Sequence, residues 1–152
     1  VNQVKKMVKV LLCSFLLSIS FLLPVQSADA AYSADNIIAE AKKHIGTPYK
    51  WGGTTPKGFD CSGFMVYTHK QNGVNLPRTA AQMYKQGTAV AKKDMQPGDL
   101  IFFTTYKKGA SHVGIYLGDN QFIHSASKGV NIDKVSNSYW TKRYIGTKRI
   151  AK

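Results

Sequence analysis

Near Gly87 the hydrophobic period of the chain changes from helical to alternating, which limits the folds open to it more than any single motif does. Ahead of the change, Ile37, Ile38, Ala41 and Ile45 recur at helical spacing. Ser33 or Asp35 can cap this segment and Gly46 can stop it. A second helix is predicted from Cys61 to Asn72, burying Phe64, Met65 and Thr68 and ending at Gly73. A short third helix covers Ala80 to Lys85. Behind the change, the turn Pro97-Gly98-Asp99 launches Leu100-Ile101-Phe102-Phe103 as a strand. His112 to Leu117 and Gln121 to Ala126 form a hairpin about Gly118-Asp119-Asn120. Val130 to Asp133 and Tyr144 to Ile150 read as further strands, with a helical turn over Ser136 to Trp140. Helices first and strands second predict an α+β domain, with N-terminal helices packed on one side of a C-terminal antiparallel β-sheet.

Residues 1–30 read as a secretory signal peptide and 31–152 as the domain. Lys5, Lys6 and Lys9 form a basic start, and Val10 to Leu23 is apolar but short for a membrane span. Pro24 breaks that run, and Ala28-Asp29-Ala30 offers small residues for cleavage after Ala30. An uncleaved N-terminal anchor is the alternative. Removing the segment leaves 18 Lys+Arg against 7 Asp+Glu, a formal charge of +11. Such a charge favours an anionic partner. The basic residues are scattered in pairs such as Lys42-Lys43 and Lys107-Lys108, without an arginine-rich arm. An anionic cell wall is therefore the more economical partner. No specific nucleic-acid partner is predicted, and no membrane association in the processed form.

After processing, Cys61 is the only cysteine. In an oxidising compartment a structural cysteine normally has a disulfide partner, so an unpaired thiol is either intermolecular or reactive. Cys61 also stands where a Gly-rich loop, residues 47–58, passes into an apolar helical run. A thiol at the first turn of a helix feels the positive end of the dipole, which favours the thiolate. A buried cysteine acting as a small hydrophobe is the competing account. In the loop, Tyr49 and Trp51 fit either core packing or the walls of a cleft.

A thiol nucleophile needs a base, and the base an orienting group. Of the four histidines, His44 suits the end of the first helix, and His69 is expected to be exposed and without a role. His112 and His124 remain. With a three-residue loop at 118–120, Leu117 pairs with Gln121 and Gly114 with His124, which puts both histidines on one face, a diagonal step apart. Val113, Ile115, Leu117 and Ile123 then form the opposite, core-facing side. A two-residue turn would separate the histidines. The candidate triad is Cys61, His112 and His124. One cysteine and no His/Glu cluster at zinc-ligand spacing give no reason to expect a metal or other cofactor.

Asp60-Cys61-Ser62-Gly63, Ser111-His112-Val113-Gly114-Ile115-Tyr116 and Phe122-Ile123-His124-Ser125-Ala126 resemble the three motifs of the NlpC/P60 cysteine peptidases. Gly46 to Gly53, Leu76-Pro77-Arg78-Thr79, Pro97-Gly98-Asp99-Leu100 and Tyr139-Trp140 are similar to the intervening blocks, in order, from about Asp35 to the end. The resemblance implies a papain-like α+β fold and hydrolysis of peptidoglycan stem peptides, usually between γ-D-glutamate and the following diamino acid. It implies Cys61 as nucleophile, His112 as base and acid, and His124 as the residue orienting His112. It further implies that Tyr49 lies near the forming oxyanion and that Asp60 and Ser62 contact substrate. Arg78 either positions a substrate carboxylate or braces the fold, and bracing is the preferred reading. No SH3-like or LysM module precedes the matching segment in this sequence, so wall targeting through such a module is not expected.

The resulting expectation is a secreted, wall-associated endopeptidase. Two alternatives use the same residues differently: an amidase or acyltransferase keeping the triad, and a non-catalytic basic wall-binding protein, which would need a damaged triad. Stem-peptide preference and oligomeric state are not legible.

Overall fold

A computed structural model describes residues 32–150. The predicted signal segment, residues 1–30, lies outside the described residues. Helix α1 spans Ala34–Lys42 and is capped by Ser33, whose hydroxyl accepts from the Asn36 N–H at 3.2 Å. Its apolar face seats Ile37 and Ala41 in the core, whereas Ile45, expected to continue that face, lies past the helix and is exposed. The Gly-rich segment is not wholly irregular. It contains a small hairpin of β1, Thr54–Thr55, and β2, Gly58–Phe59. Helix α2 runs Cys61–Lys70 and a short α3 covers Ala80–Met83. A capping box between Thr79 and Gln82 starts α3.

The second half supplies a six-stranded antiparallel sheet in the order β3-β8-β4-β5-β6-β7. Its strands are β3 (Thr88–Val90), β4 (Leu100–Phe103), β5 (His112–Gly118), β6 (Gln121–Ala126), β7 (Gly129–Lys134) and β8 (Tyr144–Arg149). A helical turn, α4 (Ser138–Thr141), precedes β8. Strand β3 was not legible in the sequence: it is a three-residue, exposed edge strand whose pairing to β8 does not depend on an apolar face. Arg149 clamps the far end of the sheet, giving Asp99 two hydrogen bonds of 2.8 and 2.9 Å.

One face of the sheet packs against the helices. Val113, Ile115 and Ile123 join Ile37, Phe64, Met65 and Met83 there. The other face carries a smaller cluster of Ile101, Phe103, Phe122, Val135 and Trp140, so α4 covers part of the side that the sequence left open. Helix α2 packs against α1, β1, β5 and β6 and is buried nearly all round. This overturns the expectation of an exposed His69, which assumed a one-sided helix. The side chain is fully buried, with Nδ1 2.8 Å from the Met65 carbonyl and Nε2 unpartnered. Burial pushes its pKa down to about 4.

Candidate active site

Cys61 is the first residue of α2, and Asp60 caps that helix by accepting from the Gly63 N–H at 2.6 Å. The Asp60 carboxylate also accepts from the Gly52 N–H at 3.0 Å and takes a fork of hydrogen bonds from Arg78 at 3.0 and 2.5 Å. Arg78 reaches Ser62 Oγ as well, at 2.8 Å. One carboxylate thus joins the loop before the helix, the helix start and the segment before α3. A Cβ on Gly63 would overlap the Gly53 carbonyl, so only glycine lets the loop lie this close to the first turn.

The ladder between β5 and β6 covers Ile115 to Gly118 against Ile123 to Gln121, while His124 to Ala126 continue in register with β7 alone. The β5–β6 ladder therefore ends at Ile115, and Cys61 at the start of α2 lies against Ser111 and Val113 beyond that point. Ser125 Oγ donates to the Phe59 carbonyl at 2.8 Å, fixing one wall. The Cys61 thiol lies 3.7 Å from the Ser111 carbonyl, and the Val113 N–H faces the sulfur from the same strand. The sulfur rests against the two residues that flank His112. No thiol–imidazole hydrogen bond is formed in this resting geometry.

His112 and His124 lie on one face, joined by a hydrogen bond of 2.8 Å between His112 Nε2 and His124 Nδ1. The route to that arrangement differs from the expected one. The turn has two residues, Asp119 and Asn120, both with positive φ, as in the tight turns that match strand twist. A bulge between Tyr116 and Gly118 adds the residue that a longer loop would have supplied. Ile115 still faces Ile123, and the parity of the histidines is preserved. Both rings are buried, and Trp140 stacks on His112 with centroids 5.0 Å apart and planes 24° from parallel. Trp140 also stands edge-on to His124 at 4.9 Å.

The protonation states depart from the expected thiolate. Burial, and then the Asp60 charge, push the Cys61 thiol up, outweighing the N–H groups of Val113, Ser62 and Cys61 that favour the anion. Burial, and then the neighbouring His124, hold His112 down to about 3. The resting site therefore pairs a neutral thiol with a neutral imidazole. His112 Nε2 is committed to His124, leaving Nδ1 as the nitrogen available to accept a thiol proton.

Cys61 is 8% exposed yet lines a cleft of about 330 Å³. Tyr49, Asp60, Ser62 and Arg78 also line it, as do Trp51 and Tyr106, whose rings meet edge to face at 5.4 Å. Trp51 is 71% exposed, which makes it a wall of the cleft rather than core. Tyr49 has its pKa raised by burial and by the nearby Cys61 and Asp60. Asp133 was missed in the sequence. It lies diagonally from His124 across the β6–β7 register, and its Oδ2 is 3.1 Å from His124 Nε2. Strand parity could have found it only with the β6–β7 register in hand. Among the described residues no group of His, Cys, Asp and Glu is arranged to hold a metal ion.

The fold is of the papain-like α+β class. The model of the NlpC/P60 family matches residues 46–149, and the chain belongs to that family. It is 49% identical over 118 residues to the probable peptidoglycan endopeptidase LytE of Bacillus subtilis (strain 168), covering 77% of this chain and 34% of that protein. It is 44% identical over 127 residues to the gamma-DL-glutamyl hydrolase of the same strain, covering 81% of this chain and 31% of that protein. The chain thus spans about a third of the length of these two relatives. A crystal structure of an NlpC/P60 family protein from Bacillus cereus superposes with a TM-score of 0.75 at 37% identity, covering 80% of this chain and 41% of that one.

Proposed function

We propose that this chain is a peptidoglycan endopeptidase that cuts stem peptides at the γ-D-glutamyl–diamino acid bond, using Cys61, His112 and His124. The observation that carries the reading is the lodging of the Cys61 sulfur against the backbone on either side of His112, whose ring is bonded to His124 at 2.8 Å. The similarity to a gamma-DL-glutamyl hydrolase favours the γ-glutamyl bond over the sugar–peptide amide.

His112 Nδ1 takes the thiol proton as sulfur attacks the amide carbonyl, and a tetrahedral oxyanion forms. Backbone donors around Cys61, with Tyr49 at the cleft wall, stabilise that oxyanion. The imidazolium then protonates the departing amine, and water releases the acyl group by the reverse sequence. Ser62 and Asp60 form the substrate-facing floor. Because both Asp60 oxygens already accept hydrogen bonds within the protein, Asp60 acts on substrate through a field and a fixed frame. The reading includes export by residues 1–30 and association with the anionic wall. Binding of the protein to isolated walls should weaken steeply as salt rises from low ionic strength, where the screening length exceeds about 10 Å, to 1 M, where it is about 3 Å.

Digestion of purified peptidoglycan with mass analysis of the products tests the bond. New free amines on the diamino acid are expected. Intact stem peptides released from the sugar would instead establish an amidase.

A further inference from the structure

We propose that Asp133 is a positioning residue that fixes the protons of the histidine pair, so that His112 presents a bare Nδ1 to the Cys61 thiol. The inference rests on the Cys61–His112–His124 reading above. Asp133 stands on β7 opposite Phe122, two residues from Asn131, the partner of His124. Its Oδ2 is 3.1 Å from His124 Nε2 and accepts from the indole N–H of Trp140 at 2.9 Å. That single oxygen therefore holds both the ring bonded to His112 and the ring stacked on it.

The chemistry follows from donors and acceptors alone. An ionised carboxylate can only accept, so His124 Nε2 must carry a proton. With one proton on the ring, His124 Nδ1 is bare and accepts from His112 Nε2–H. A neutral His112 protonated at Nε2 has Nδ1 free. Remove the carboxylate and His124 is free to adopt the other tautomer. Its Nδ1–H then points at His112 Nε2, the His112 proton moves to Nδ1, and the base is blocked. The groups facing Asp133 favour its ionised form: its carboxyl is held below the usual range first by the hydrogen bond to His124, then by Trp140 and the charge of Lys128. During attack the S–H bond breaks, the proton bonds to His112 Nδ1, and sulfur uses its electron pair on the carbonyl carbon. The Asp133 charge favours the imidazolium so formed.

The test uses the full chain with Asp133→Ala and Asp133→Asn. Imidazole tautomers are read by nitrogen-15 NMR, and kcat and KM on a synthetic L-alanyl-γ-D-glutamyl-diaminopimelate tripeptide. In the native protein both histidines are expected as the Nε2–H form. Asp133→Ala should mix the tautomers and lower kcat roughly tenfold to a hundredfold with little change in KM. That is well short of the roughly 10⁴-fold loss when the group directly orienting a triad base is changed. Asp133→Asn, which keeps an accepting oxygen, should restore the tautomer and most of kcat. Native tautomers and kcat in Asp133→Ala would overturn the proposal. So would an activity loss in both variants with tautomers unchanged. Failure of the native protein to cleave the tripeptide counts against the functional reading alone, because the tautomer signature needs no substrate.

Discussion

At the scale of single residues, a cysteine at the start of a helix does not become a thiolate by position alone. The N–H groups at the start of α2 favour the anion, but burial and the Asp60 carboxylate 1 residue away outweigh them. His112, held down to about 3, cannot compensate as a resting cation. Near neutral pH the free protein should therefore lack the ultraviolet absorbance of a thiolate. Alkylation of Cys61 should accelerate only as pH rises above the usual thiol range. A thiolate signal at neutral pH, lost on acidification and absent in Cys61→Ala, would contradict this assignment. The identities of Cys61, His112 and His124 could be proposed from the sequence because each is constrained by local rules: an unpaired exported thiol, a helix start and strand parity. Their protonation states could not, since desolvation depends on what Trp140, Phe103 and the loop bring around them. Asp133 escaped for a related reason. Its contact with His124 crosses a strand pair whose register is set by the turn at Ser127-Lys128, and that turn carries no strong signal.

At the scale of elements, the site sits where the β5–β6 ladder ends. Strand β5 pairs with β4 along Phe103 to Leu100, while its ladder with β6 ends at Ile115. Gly114 is central to this. A Cβ there would lie 2.8 Å from the Ile123 carbonyl and from a ring carbon of Phe122, and 3.1 Å from the His124 Cβ. Gly114→Ala should cost about 1–3 kcal/mol by overpacking. It should also lower activity by more than that loss of stability explains, because the displaced groups carry or border His124. Thermal unfolding beside kcat checks both parts, and a variant of native stability and rate would refute the crowding argument. Helices α1 to α3 and strands β4 to β8 were legible because their apolar residues keep a period of 3.6 or 2. The early end of the β5–β6 ladder, the β1–β2 hairpin and β3 were not, for they are set by tertiary contacts rather than by an apolar period. The compensating bulge is the instructive case. Turn length alone would have put the histidines on opposite faces, and the residue inserted between Tyr116 and Gly118 reversed that outcome.

At the scale of the whole molecule, the sheet serves two sides. Its helix-facing side supplies the core that holds α2, and its other side buries the histidines beneath Trp140. The cleft is lined by Cys61 and by Ser111 next to His112, so in the proposed triad the nucleophile belongs to the helix layer and its base to the other face of the sheet. The excess of basic residues, 21 Lys+Arg against 8 Asp+Glu in the whole sequence, favours attraction to an anionic surface without selecting a bond. In the proposed function, selection falls to the cleft, where Tyr49, Ser62, Trp51 and Tyr106 line the walls around the thiol. On the proposed function, chemistry in this cleft runs through Cys61. The most direct measurement is the rate of stem-tripeptide cleavage by the native protein and by Cys61→Ala, with folding of both verified by thermal unfolding. A loss of roughly 10³-fold or more is expected in a variant of native stability. A Cys61→Ala protein that cleaves at the native rate would contradict it.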